Sequence, residues 1–356
     1  MDKSIVIVTR SMFAGGAERV IAQLANYFVE QHIQCTLITI DNEKILYDLH
    51  PEIKIIPIGN KANKKVIDKF KRYKLVRKIV RKLNPSVVLS MPEDIGIYVI
   101  FALLGLHIPV YVSERNNPWV MPDVKVTRIL RKVMYPFAKG IIFQTEMAKS
   151  YFPGSIQKKG IVLGNPVDAS RIPVPYDGER ERIIVGAGRL DAQKNFQLLI
   201  SAFADFVKEQ PNYKLYIYGE GRQRAELENL IKNFGISEKV QLPGRKSNLL
   251  ELMNSAAMFV LSSDFEGLPN VLIEAMCMGM PVISTDCPSG GPKELIHDNV
   301  NGLLIPVGDR EGLVASMRKL SNPMIANAMG AEALKIRSVL MSSQIFSNWE
   351  NYLFRN

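Results

Sequence analysis

Residues 257–284 read AMFVLSSDFEGLPNVLIEAMCMGMPVIS, and their pattern decides the fold. Residues 257–261 form an apolar run of strand length, and 281–284 form another. Between them, 262–269 hold Ser, Asp, Gly and Pro and read as a loop. Residues 270–278 then carry apolar side chains at helical spacing, with Pro269 suited to a first helical position. Strand, loop, helix and strand in this order suit a parallel sheet covered on both faces.

The same alternation extends outward. Further strands are expected at 183–187, 214–218, 240–242 and 303–305, with helices at about 195–208, 222–234, 247–255, 291–297 and 309–320. Residues 168–182 hold Pro173, Pro175, Gly178 and a cluster of charges, and read as a linker. Upstream, strands are expected at 5–9, 35–40, 53–58, 86–90, 109–113, 140–144 and 161–163, and helices at 16–31, 62–83, 95–105 and 124–137. The expectation is an α/β protein of two similar domains, 1–166 and 167–340, with a helix at 341–356 packing back on the first. Open α/β sheets bind ligands at the carboxyl ends of their strands, so two such halves are expected to share a site in a cleft.

Composition agrees with two globular domains. The chain has 356 residues, 47 % hydrophobic and 22 % charged. A disordered, collagen-like or disulfide-stapled chain is excluded. Cys35, Cys277 and Cys287 have spacings that fit neither a zinc site nor a disulfide framework, which points to a reducing compartment. The apolar stretch at 5–8 is too short for a signal peptide. Residues 95–112 lack charge over 18 residues but are interrupted by Gly96, Gly105, His107 and Pro109. They read as a buried helix followed by a buried strand. Charge is uneven: residues 1–166 hold 25 Lys and Arg against 13 Asp and Glu, whereas 167–356 hold 20 against 22. A polyanionic partner is expected for the first half.

Three segments carry chemistry. Gly15-Gly16 lies between the first strand and the first helix, where the backbone can approach an anion at a helix N-terminus. It matches neither a dinucleotide fingerprint nor a Walker loop. Gly188-Arg189-Leu190-Asp191-Ala192-Gln193-Lys194-Asn195 occupies the equivalent place in the second half. Arg189 and Lys194, two cations beside a helix N-terminus, suit a diphosphate. Glu266 in the loop and Glu274 near the second helical turn complete the set, with the amides of Leu268, Pro269, Asn270 and Val271 at that helix start facing an anion (Pro269 itself has no N–H). Asp264-Phe265-Glu266 looks like an Asp-x-Asp metal motif, but Arg189 and Lys194 can supply the charge a metal would supply, so no metal is expected.

The last segment is 61–82, where 11 of 22 residues are basic and Asp68 alone is acidic. Val66, Ile67, Phe70, Tyr73, Val76, Ile79 and Val80 recur at helical spacing, so this is a basic amphipathic helix. It is a solvated surface helix, a surface for anionic lipid or lipid diphosphate with Lys69, Arg72, Lys78 and Arg81 as the contacts, or a site for another polyanion.

The sequence resembles the retaining glycosyltransferases of family four, with the GT-B fold. The resemblance is carried by Gly15-Gly16-Ala17-Glu18, Gly188-Arg189-Leu190 with Lys194-Asn195, Tyr218-Gly219-Glu220-Gly221, Leu242-Pro243-Gly244-Arg245, and Glu266 with Glu274. It implies that Arg189 and Lys194 bind the diphosphate of a nucleotide sugar, that Glu266 lies beside the sugar, and that Glu274 binds the ribose hydroxyls. Arg245 and Lys246 would flank the base through their backbone. Gly15 and Gly16 would border the diphosphate and the acceptor channel. Many relatives carry a His after the strand at 109–113. Here the residues are Glu114 and Arg115, which are assigned to the acceptor side.

The expected activity is metal-independent transfer of a hexose or N-acetylhexosamine, with retention. The donor is a nucleotide diphosphate sugar, UDP-linked in preference to GDP-mannose. The acceptor is a lipid-linked glycan at the cytoplasmic membrane face, and the partner surface is an anionic membrane. No cofactor is expected. A sugar-nucleotide epimerase or hydrolase on the same fold needs no acceptor glycan and no basic helix. A nucleic-acid binder is disfavoured, because the basic helix lacks interleaved aromatic platforms beyond Phe70 and Tyr73 and the second half is slightly acidic.

Overall fold

The structure is a computed structural model that describes residues 3–13, 15–41, 44–59, 67–340 and 343–355, with side chains for all of these except 67–70, 169 and 343. The chain forms two compact units, one of residues 1–166 with 342–356, the other of 167–341.

The first unit has a seven-stranded parallel sheet: β1 (Ser4–Thr9), β2 (Gln34–Thr39), β3 (Lys54–Pro57), β4 (Val87–Ser90), β5 (Val110–Ser113), β6 (Gly140–Phe143) and β7 (Gly160–Val162). Their order is β3-β2-β1-β4-β5-β6-β7. Helices α1 (Gly16–Glu30), α2 (Ile67–Leu83), α3 (Glu93–Leu103), α4 (Lys125–Met134), α5 (Glu146–Ser150) and α6 (Gly154–Gln157) connect them. Alternation along the buried strands divides the core. Ile5 and Ile7 face α1 with Phe28, whereas Val6 and Val8 face α2 and α3 with Val76, Val80 and Val99. The helix expected over 124–137 stops at Met134 and continues as a 3-10 turn over Tyr135–Phe137, because Pro136 has no N–H to give the helix ladder.

The second unit repeats this plan. Strands β8 (Glu181–Ala187), β9 (Lys214–Tyr218), β10 (Val240–Gly244), β11 (Ala256–Leu261), β12 (Val282–Thr285) and β13 (Leu303–Ile305) are parallel, in the order β10-β9-β8-β11-β12-β13. Helices α7 (Phe196–Glu209), α8 (Arg224–Asn233), α9 (Leu249–Asn254), α10 (Asn270–Cys277), α11 (Gly291–Leu295), α12 (Arg310–Leu320), α13 (Pro323–Leu334) and α14 (Ile336–Leu340) complete it. In both sheets the chain winds to one edge, returns to the centre and winds to the other. The reversal opens a crevice beyond the carboxyl ends of β1 and β4 in one unit and of β8 and β11 in the other.

Helix α15 (Ser343–Leu353) belongs to the first unit. Trp349, Tyr352 and Leu353 are buried in its core. The Trp349 indole donates to the Gly164 carbonyl at 3.1 Å, and the Tyr352 hydroxyl donates to the Lys159 carbonyl at 2.5 Å. Phe346 stacks on Tyr27 with centroids 4.9 Å apart. Truncating a buried Trp costs about 3–5 kcal/mol. Trp349→Ala is therefore expected to lower the stability of the first unit by that amount in denaturant unfolding. Both tryptophans of the chain, Trp119 and Trp349, lie in this unit, so the fluorescence of Trp119 still follows it in the variant. An unchanged midpoint would contradict the packing role of α15.

Candidate functional site

The site in the second unit is built where its strand order reverses. After β8 the chain turns through Gly188 into Arg189. A 3-10 turn over Ala192–Lys194 follows, capped by Asp191 Oδ1, which accepts from the Lys194 amide at 3.3 Å. Asn195 then starts α7: its Oδ1 accepts from the Leu198 amide at 3.2 Å, and its Nδ2 donates to Asp264 Oδ1 at 2.6 Å. Three further bonds tie this loop to the one after β11. The Asp264 amide donates to the Gln193 carbonyl at 2.8 Å, Gln193 Nε2 to the Phe265 carbonyl at 3.0 Å, and Ser262 Oγ to the Lys194 carbonyl at 2.9 Å.

These bonds bring Lys194 to Glu266. The ammonium lies 2.5 Å from Glu266 Oε1, and Ser263 Oγ donates to the same oxygen at 2.6 Å. The main chain beneath is fixed as well. Thr285 Oγ1 donates to the Ser263 carbonyl at 2.5 Å, and Ser289 Oγ donates to the Glu266 carbonyl. Burial pushes the Cys287 thiol up to about 12, so it stays neutral and donates to the Ser263 carbonyl at 3.1 Å. Glu266 engages one of the three ammonium hydrogens of Lys194, leaving donors for an anion. Arg189 is different: it is 61 % exposed, with Nε 3.2 Å from Asp191 Oδ2 and Nη2 donating to Gln193 Oε1 at 3.1 Å. Both cations therefore stand at the carboxyl end of β8, one embedded and one in solvent.

Glycines let these loops close up. A Cβ on Gly219 would sit 1.8 Å from the Gly188 carbonyl oxygen, and one on Gly291 would sit 1.7 Å from the Gly267 carbonyl oxygen. Neither position has room for a side chain. The Lys194 stem also passes over Gly188, where a Cβ would lie 2.8 Å from Cε. Helix α10 begins at Asn270, so Pro269 is its N-cap and not its first helical residue. Leu268 is buried, Val271 partly so, and Glu274 is buried in the second turn of α10. Arg245 and Lys246 are exposed directly after β10.

In the first unit, Gly15 is the N-cap of α1, which starts at Gly16, and Tyr47 Oη both accepts from the Gly15 amide at 2.9 Å and donates to its carbonyl at 2.8 Å. Glu114, expected on the acceptor side, lies in the interior of the unit. It is 1 % exposed, with Oε2 2.8 Å from Arg131 Nη1 and Oε1 accepting from the Tyr135 hydroxyl, so its role is internal. Burial raises its pKa to about 7, against the lowering effect of Arg131. Arg115 is half-buried: its amide donates to Glu93 Oε2 at 3.2 Å and Nη2 to Asn165 Oδ1 at 2.5 Å. On α2, Lys78 and Arg81 are exposed and, with Lys74, Arg77 and Lys82, line an open depression. Arg72 pairs with Asp41 at 3.3 Å. Lys61, Lys64, Lys65 and Val66 lie outside the described residues, as does the side chain of Lys69.

Sequence reasoning missed Gln193, Ser263, Thr285 and Ser289, which hold the charged residues in place. The signals were a Ser pair after a buried strand and the Pro288-Ser289-Gly290-Gly291-Pro292 run after the next one. The Lys194–Glu266 pair is nearly buried, with side chains 14 % and 9 % exposed. Removing one partner of such a pair leaves an uncompensated charge. A double-mutant cycle of Lys194→Met and Glu266→Gln is expected to give a coupling of about 1–3 kcal/mol, read from hydrogen exchange of the β8 and β11 amides. Additive effects would show that the two side chains do not act as a pair.

Two family profiles match the chain: Glycosyltransferase Family 4 over residues 14–171 and Glycosyl transferases group 1 over residues 173–335. One relative is the GalNAc-α-(1→4)-GalNAc-α-(1→3)-diNAcBac-PP-undecaprenol α-1,4-N-acetyl-D-galactosaminyltransferase of Campylobacter jejuni, 31 % identical, with 90 % of this chain and 89 % of the relative covered. A second from the same organism is the N-acetylgalactosamine-N,N'-diacetylbacillosaminyl-diphospho-undecaprenol 4-α-N-acetylgalactosaminyltransferase, 30 % identical, covering 87 % of this chain and 88 % of its own. Among solved structures, the sucrose-phosphate synthase of Thermosynechococcus elongatus superposes with a TM-score of 0.85 at 18 % identity, covering 99 % of this chain and 98 % of that one. With two parallel sheets that share one strand order over six strands, and with both profiles and these relatives matching, the chain belongs to the family-four glycosyltransferases of the GT-B fold.

Proposed function

We propose that this glycosyltransferase moves an N-acetylhexosamine or hexose from a UDP-sugar to a lipid-linked glycan at the cytoplasmic membrane face, with retention at the sugar carbon and without a metal. The observation that carries the reading is the embedded Lys194 beside Glu266, with Arg189 at the same strand end. Two cations there, one embedded and one exposed, suit a diphosphate and the charge that grows on it as it departs. The two Campylobacter relatives, both N-acetylgalactosaminyltransferases named for undecaprenol-linked saccharides, support the acceptor class and an N-acetylgalactosamine donor.

In this reading Arg189 and Lys194 hold the diphosphate, Glu266 lies beside the sugar, and Glu274 binds the ribose hydroxyls. The amides at the start of α10, from Leu268 to Val271, face a phosphate, and the backbone at Arg245 and Lys246 flanks the base. Gly15 and Gly16 offer the N-terminus of α1 to an anion. The acceptor hydroxyl attacks on the face from which the diphosphate leaves. The departing phosphate oxygen takes its proton, so no strong protein base is needed. The rate then depends on positioning and on charge stabilisation. Arg189 and Lys194 provide the positive charge that a metal would otherwise supply. Arg115 stays on the acceptor side.

UDP-N-acetylgalactosamine is expected to raise the melting temperature of the protein. Arg189→Ala and Lys194→Ala are each expected to slow transfer by about a hundredfold or more, with activity surviving EDTA. Arg189 is the cleaner test, since it is exposed and its loss spares the fold. Wild-type turnover in that variant, or EDTA inactivation reversed by magnesium, would overturn the mechanism.

Helix α2 serves the lipid side. A cytoplasmic leaflet attracts Lys and Arg by about 1 kcal/mol each, screened within a Debye length. Changing Lys69, Arg72, Lys78 and Arg81 together to Gln is expected to impair use of a lipid-linked acceptor and to leave nucleotide-sugar binding intact. Wild-type use of that acceptor by the quadruple variant would return α2 to an ordinary solvated surface.

A further inference from the structure

Helix α4 is turned the opposite way to a helix of a water-soluble surface. Its buried side chain is Arg131, which is fully enclosed. All its apolar side chains but Met134, which packs on the core, point outward: Val126, Ile129, Leu130 and Val133 are 62 %, 64 %, 45 % and 56 % exposed. At helical spacing these four fall within an arc of about 100°, so they form one stripe. Phe137, in the 3-10 turn that follows, is exposed as well.

Polar contacts fix this rotation. Arg131 Nη1 lies 2.8 Å from Glu114 Oε2 and donates to the Met121 carbonyl at 3.0 Å, while Nη2 donates to the Pro118 carbonyl at 2.9 Å. Arg128 Nη1 donates to the carbonyls of Val120 and Pro122 at 2.7 and 2.5 Å. Rolling α4 to hide its stripe would strand the Glu114 carboxylate in the core. Scattered apolar residues on a surface are ordinary, but a contiguous stripe held outward marks an interaction site.

The chemistry around the stripe selects the partner. Lys125 and Lys132 flank it on one side, and Lys132 sits 4.3 Å from the centroid of the Tyr151 ring. An apolar stripe edged with lysine suits the boundary between headgroups and acyl chains. With 10 residues α4 is too short to span a bilayer, and no described helix is long and apolar enough to cross one. Both α2 and α4 pack against α3 on the same side of the sheet, and Arg77 of α2 donates to the Ala102 carbonyl of α3 at 2.8 Å. A second copy seated on the stripe would bring like charges together in an already basic region.

We propose that α4 is an in-plane membrane helix, its Val126–Ile129–Leu130–Val133 stripe entering an anionic bilayer surface while the basic face of α2 holds the headgroups. The proposal rests on the membrane-associated reading above and assigns the depth of contact to a second helix. Charge on α2 governs salt-sensitive capture, and the apolar stripe of α4 governs salt-resistant retention.

The test is a reporter on the stripe. Cys35, Cys277 and Cys287 are all buried, so Ile129→Cys can be labelled selectively with an environment-sensitive fluorophore. Vesicles of phosphatidylglycerol and phosphatidylcholine are expected to shift its emission to the blue, and a quencher on the acyl chain to dim it. The triple variant Val126→Ser, Ile129→Ser, Val133→Ser is expected to lose vesicle binding by about tenfold or more. Three results would overturn the proposal: a label that stays in water while the protein sediments with vesicles, wild-type binding by the triple variant, or a blue shift without lipid that grows with protein concentration. The thermal shift with UDP-N-acetylgalactosamine, measured on the same variant, reports the donor reading separately.

Discussion

The constraint on which the second unit depends is the distance between neighbouring backbones at the carboxyl end of its sheet. The chain at Gly219 touches the Gly188 carbonyl, and Gly291 touches the Gly267 carbonyl. A methyl group at either place would push apart the loops that follow β8, β9, β11 and β12. With the loops in register, Ser262, Gln193 and Asn195 can bond across them, and Lys194 meets Glu266 although 72 residues separate the two in sequence. Charge placement here follows from main-chain proximity. The residues that look chemically inert set the positions of those that look reactive.

Both units run the same strand order over six strands, yet their strand ends differ in character. The second presents one cation embedded among hydrogen-bonded loops, Lys194, and one in solvent, Arg189. The first buries an acid, Glu114, against Arg131 and Tyr135, and its outer surface is basic on α2 and apolar on α4. A common scaffold therefore carries one unit with its charged loops at the strand ends and another whose exposed charge and apolar surface lie on its helices. This fits the rule that strand order fixes where a site lies and loops fix what it does.

The strands and most helices were legible because both sheets are buried on both faces and read as short apolar runs between turn residues. The loops with Arg189, Lys194 and Glu266, and the helix start that carries Glu274, were legible because they follow such runs. What escaped depended on contacts distant in the chain. Glu114 reads as a polar residue after a strand, and only Arg131, delivered by α4, makes it interior. Arg131 itself reads as one more surface charge among Lys125, Arg128 and Lys132. Helix α13, rich in Ala and Met, has no clear apolar face and passed unread. Gln193 and Ser289 act on main-chain carbonyls of a loop distant in sequence, so their partners are not written beside them.

Helix α15 has a consequence for synthesis. The second unit is one unbroken stretch of chain, whereas the first draws on both ends. On a ribosome, β1 through β7 emerge before α7, but Trp349, Tyr352 and Leu353 emerge after all of β8–β13. The first sheet must wait, with one face incompletely covered, until the second unit has been made. The order of birth is thus the reverse of the order of completion: the domain translated first is the last to close, and it is the more basic one that spends the interval exposed.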